Sequence, residues 1–148
     1  MRRLVIGPLA ASAAIATLLI GAAAPASATH AVEVADSGTL VAKGAGVIVP
    51  VTVVCEPGSV VFPPFPFPPG GSFVSVSVTQ RSGNRIAQGY GGTSVVCNGT
   101  PQTVDVQVTP SQAPFKHGTA LVTASMTQCD YFLGCHTATD TEEITLRK

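Results

Sequence analysis

The stretch Phe73-Val74-Ser75-Val76-Ser77-Val78-Thr79 decides the fold. Its valines alternate with hydroxylated residues, so an extended chain would put one face on a core and the other in water. A helix would scatter the same valines around its circumference. The β-branched side chains also suit a pleated surface.

Working toward the C-terminus, Ser82-Gly83-Asn84 predicts a turn between Arg81 and Arg85. Ile86 to Tyr90 reads as a short returning strand that Gly91-Gly92 breaks, and a further brief strand ends at Cys97. The corner Val95-Val96-Cys97-Asn98-Gly99-Thr100-Pro101 separates it from Thr103 to Thr109, where Val104, Val106 and Val108 point inward and Pro110 stops the run. Asn98-Gly99-Thr100 matches a glycosylation acceptor pattern, but its first reading is a turn. After a connecting loop from Ser111 to Gly118, Ala120, Val122, Ala124 and Met126 share one face of a strand closed by Cys129. The last strand, His136 to Arg147, is rich in Thr and anchored by Ile144 and Leu146.

Toward the N-terminus, Phe62-Pro63-Pro64-Phe65-Pro66-Phe67-Pro68-Pro69-Gly70-Gly71 is an extended loop of polyproline character, since proline at that density excludes helix and ladder. Before it, Val47, Val49, Val51, Val53 and Cys55 form the inward face of another strand, and Pro50 within it argues for an edge, a bulge or a sheet crossing. A short strand spans 39–43. Residues 29–38 read as a flexible lead-in in which Val32 and Val34 suit a sheet edge.

Met1-Arg2-Arg3, the apolar run from Leu4 to Ala24 and the small residues Ala26-Ser27-Ala28 predict a helical secretory signal peptide over 1–28, cleaved after Ala28. The mature part, 39–148 with its lead-in, is long enough for one domain with one core, and no second apolar span predicts a membrane anchor. Without Arg2 and Arg3, six basic residues face eight acidic ones, a thin negative balance that steers neither nucleic acid nor anionic membrane. Seven or eight short strands with turn signals about every ten residues predict an all-β, immunoglobulin-like antiparallel sandwich.

All four cysteines lie in the exported part, which predicts two disulfides. In the expected topology the four gather at one pole. Of the three pairings, Cys55 with Cys97 and Cys129 with Cys135 is favoured by the short spacing of the second pair, while Cys55 with Cys129 would also lie at this pole. The Pro/Phe loop adds Phe62, Phe65 and Phe67 there, and the loop between Cys129 and Cys135 adds Tyr131 and Phe132. Five of the eight Phe and Tyr residues would thus sit at one end, the composition of a contact surface; the competing reading folds the rings down over a core that has no Trp.

Catalytic chemistry finds no footing in the pattern. There is no nucleophile elbow, and His30, His117 and His136 are isolated in sequence with no zinc-like spacing, so they read as surface residues. Glu142 and Glu143 are adjacent on a strand and point to opposite faces, so with Asp140 they read as solubilising charge. Gly89-Tyr90-Gly91-Gly92 lacks the lysine and helix of a phosphate loop. No metal or other cofactor is expected.

Cys97-Asn98-Gly99-Thr100-Pro101-Gln102-Thr103-Val104, followed by Phe115-x-x-Gly118-x-Ala120-x-Val122-x-Ala124, resembles a pattern in small secreted actinobacterial proteins of a domain-of-unknown-function family. Gly46-Val47 to Cys55 and Val76-x-Val78-Thr79-Gln80 fit it too. The resemblance implies an immunoglobulin-like sandwich and carries no site residues. In architecture alone the chain is also similar to neocarzinostatin-type apoproteins, secreted sandwiches with a chromophore cleft, from which the Cys55 to Cys97 spacing and the Pro/Phe loop depart. The expectation is therefore a secreted, non-catalytic module that contacts a protein, glycan or envelope partner through its cysteine-braced pole. A small-ligand carrier is the alternative and an enzyme the third reading.

Overall fold

The computed structural model describes residues 30–57, 71–130 and 134–148. The expected signal peptide, Phe62, Phe65, Phe67, Tyr131 and Phe132 lie outside the described residues. Eight strands follow in order: β1 His30–Val34, β2 Ser37–Val41, β3 Gly46–Cys55, β4 Gly71–Ser82, β5 Arg85–Val96, β6 Gln102–Pro110, β7 Gly118–Asp130 and β8 Gly134–Arg147. The alternating valines do what their spacing predicts. Val47, Val49, Val51, Val53 and Cys55 on β3, Val74, Val76 and Val78 on β4, and Val122 and Ala124 on β7 have no solvent exposure. Ile144 and Leu146 anchor β8 in the same core.

These strands form one mixed sheet that closes into a barrel, not the purely antiparallel arrangement expected from the sequence. Pairing is broad along β8-β7-β4-β5 and between β3 and β6. Two narrow seams join these parts. At one, Gly89 and Tyr90 of β5 meet Pro110 and Thr109 of β6. At the other, Ser37–Thr39 of β2 run parallel to Thr145–Arg147 of β8, because β2 lies antiparallel on β3 and reaches β8 already pointing in its direction.

The segment expected as a flexible lead-in holds β1 and the start of β2. Residues 30–34 pair in full with the C-terminal half of β3, and Val34 is buried. Pro50 sits where one edge of β3 is locally unpaired, the edge reading among its three, while pairing with β6 runs through it unbroken. It lies between the stretch of β3 paired with β1 and the stretch paired with β2, where its carbonyl accepts the Ala35 N–H at 3.1 Å. The donor that proline lacks falls in the gap between those two strands, so no ladder bond is lost.

Gly91-Gly92 does not break a strand. β5 runs unbroken from Arg85 to Val96 and pairs with β4 along its whole length. The glycines serve close approach: a Cβ on Gly91 would overlap the Gln107 backbone carbonyl of β6 where the sheet turns its corner. Gly91→Val is accordingly expected to cost about 2–3 kcal/mol, the upper part of the range for forcing volume into a packed site. Urea unfolding measures it, and a loss under about 0.5 kcal/mol, within the range of a plain surface substitution, would contradict the close approach.

Candidate functional site

Two disulfides, Cys55–Cys97 and Cys129–Cys135, form as favoured from the sequence. Side-chain hydrogen bonds tie them into one pole. The Gln128 amide, next to Cys129, donates to the Glu56 carbonyl, next to Cys55, at 2.9 Å. The Ser72 hydroxyl donates to Cys97 Sγ at 3.1 Å, and the Gly99 N–H reaches the Cys55 carbonyl at 2.9 Å. Ser72 and Gln128 are both buried, and these bonds offset the desolvation of their polar atoms. Asn98 accepts from the Thr100 N–H and hydroxyl at 3.0 and 2.8 Å, so the corner is a turn, as its sequence predicts, and the structure makes it an Asx turn.

A second feature starts at this pole and runs down the outer face of β5-β4-β7-β8. The positions between the buried valines line up in cross-strand rows, among them Gly92–Ser75–Ser125–Thr139 and Tyr90–Ser77–Thr123–Thr141. Hydroxyls meet across the strands: Thr123 and Thr141 lie 3.1 Å apart, Thr127 and Thr137 3.3 Å apart, and the Ser75 hydroxyl donates to the Ser125 carbonyl at 3.2 Å. Each of these hydroxyls carries one donor and two acceptor sites, so capacity remains for a partner in solution. Two aromatic side chains stand on the same face, Phe73 at 49% and Tyr90 at 63% exposure. Beside Tyr90 a shallow groove of about 450 Å³ is lined by Ser77, Thr79, Gln88, Thr109 and Ser111.

This face can hold a polyhydroxylated or amide-bearing partner by hydrogen bonds while an aromatic ring covers its apolar side. Among the described residues, the groups bonded to these hydroxyls are other hydroxyls and a backbone carbonyl. Sequence reading had the alternation of β4 but not the face, since the face exists only once β7 and β8 are set beside it in register. It also separated His30 from His136, whose rings the structure brings to 5.5 Å.

No protein-family model matches the chain, and no curated protein sequence matches it. Among solved structures, it is similar to the sporulation control protein Spo0M from Bacillus subtilis at 11% identity and a TM-score of 0.31, over 82% of this chain and 50% of that one. The chain thus spans about half the length of Spo0M.

Proposed function

We propose that the chain is a secreted, non-catalytic binding module that holds a glycan on the hydroxylated outer face of β4, β5, β7 and β8, next to the disulfide-braced pole. The observation that carries this reading is the continuous Ser/Thr array with Tyr90 and Phe73 standing on it. A neutral array suits a neutral polyol, whose ring hydroxyls match the donors and acceptors and whose C–H face stacks on an aromatic side chain.

Export is supported by the two disulfides, and no helix among the described residues is long and apolar enough to cross a membrane. The immunoglobulin-like reading is supported by the pairing order. β3 with β6 corresponds to the B–E pair, and β8-β7-β4-β5 to the G-F-C-C′ sheet, of that architecture. The carrier reading has less support, because valines with no exposure fill the barrel interior.

The test is co-sedimentation of the purified protein with insoluble polysaccharides, including cell-wall preparations, followed by a titration with soluble fragments of whichever one binds. Tyr90→Ala and Phe73→Ala are each expected to weaken binding about tenfold, the effect of losing a contact worth about 1.4 kcal/mol. Tyr90 is exposed and Phe73 half exposed with its ring packed on Gly92, so the fold should be kept in both variants, with a small loss of stability for Phe73→Ala. Failure to sediment with any polysaccharide, or binding by both variants as tight as the parent's, would overturn the reading.

A further inference from the structure

β1 and β8 run side by side without backbone pairing, in the same direction, because β1 precedes β2 on the same edge of β3 and β2 is parallel to β8. Side chains bridge this stretch instead. At one end the Val34 N–H donates to Asp140 Oδ2 at 2.8 Å, an offset of 106 residues. At the other end the same offset brings His30 against His136, ring centroids 5.5 Å apart and planes at 81°. The register that places Asp140 on Val34 therefore also places one imidazole on the other.

His136 is exposed and His30 half-buried, so the pair is open to solvent. Yet His30 Nδ1 is itself buried and has no hydrogen-bond partner among the described residues. A buried ring nitrogen left in that state is costly in either tautomer, and coordination would remove the cost. The spacing fits as well. With metal–nitrogen bonds of about 2.0–2.1 Å and about 1.1 Å from nitrogen to ring centre, two imidazoles have centroids roughly 5.2 Å apart on a tetrahedral ion and roughly 4.5 Å apart as cis ligands of a square-planar one, so zinc fits the rings where they stand and copper(II) draws them about 1 Å closer.

We propose that His30 and His136 form a two-imidazole site for a divalent transition-metal ion, copper(II) most tightly, that fastens β1 to β8 across the unpaired seam. Imidazole suits copper, nickel and zinc, and copper(II) heads the affinity order of the divalent ions for such a donor set. Among the described residues no third His, Cys, Asp or Glu joins the pair. The site is independent of the glycan face, because it lies on the inward-phase side of β8 and the hydroxyl array lies on the outward side.

The experiment uses the whole protein purified without a polyhistidine tag and stripped with a chelator. Calorimetric titration with copper(II), nickel(II) and zinc(II) salts should give saturation at one equivalent per chain, with copper tightest. His30→Gln and His136→Gln should each lower copper affinity at least tenfold, whereas His117→Gln should bind like the parent. Copper should raise the melting temperature of the parent and leave both variants unchanged. As a check that needs no variant, substoichiometric copper should broaden the NMR ring signals of His30 and His136 before that of His117. Unchanged affinity in both His30→Gln and His136→Gln, or uniform broadening of all three histidines, would overturn the site and leave the ring pair as an edge-to-face contact.

Discussion

Phe115→Ala is expected to destabilise the protein by about 3–5 kcal/mol, the range for deleting a buried aromatic side chain. Phe115 lies between β6 and β7, in a segment that the sequence reads as a plain connection. Yet it is 1% exposed and belongs to the core. Two sets of bonds hold its backbone down. Its N–H donates to the Gly44 carbonyl at 3.0 Å, and the buried Gln80 amide grips the next residue from both sides, donating to the Lys116 carbonyl at 2.7 Å and accepting the Lys116 N–H at 2.8 Å. The ring reaches Gly89, where a Cβ would come within 2.9 Å of its Cζ. Phe115 thus plugs the end of the barrel away from the disulfides, beside the narrow β5–β6 seam. Truncation leaves a hole that this pinned backbone cannot collapse into. Urea unfolding should show the loss, with Phe115→Leu costing less than about 2 kcal/mol because most of the volume is kept. A cost below about 1 kcal/mol for the alanine variant would mean that the loop does not seal the core.

Removing the Cys55–Cys97 disulfide as a double alanine variant is expected to cost about 4 kcal/mol, against about 2.4 kcal/mol for Cys129–Cys135. The chain-entropy estimate grows with loop length, and the sequence separations are 42 and 6 residues. Burial widens the gap. Cys55 and Cys97 are in the core, and their removal also strips contacts from β3, whereas Cys129 and Cys135 are exposed. Paired denaturation curves of the two variants test the ranking. A larger loss from Cys129–Cys135 would show that the short loop at the β7–β8 turn, and not the tie between β3 and the β5–β6 corner, sets the stability of the pole.

Much of the fold was legible because the period-two signal is local. Val47 to Cys55, Val74 to Val78 and Ala120 to Met126 each state their buried face without reference to any other segment, and every one of these inward residues is buried. The cysteine pairing could be narrowed for a related reason: six residues of separation leave Cys129 little choice of partner. β1 was missed as a strand because five mixed residues carry too weak an alternation, and its order comes from lying on β3. The glycines of β5 were misread because Gly marks both turns and close backbone approach, and only the neighbouring strand distinguishes the two. Phe115 carried no periodic signal at all.

The candidate sites divide along the same line. The hydroxylated side of β4 is visible in Ser75, Ser77 and Thr79, but a surface several strands wide requires the register that sets Thr123 and Ser125 beside them and Thr139 and Thr141 beyond. His30 and His136 stand 106 residues apart, and no spacing rule relates them. By itself the sequence determined the all-β class, the inward faces of β3, β4, β6 and β7 and the oxidised cysteines, since alternation and composition act through each segment's own contact with water. Only the tertiary structure decided the barrel closure, the parallel β2–β8 seam, the hydroxyl face and the histidine pair. Those depend on which distant edges meet and in what register, and that choice is made by the packing of the whole core.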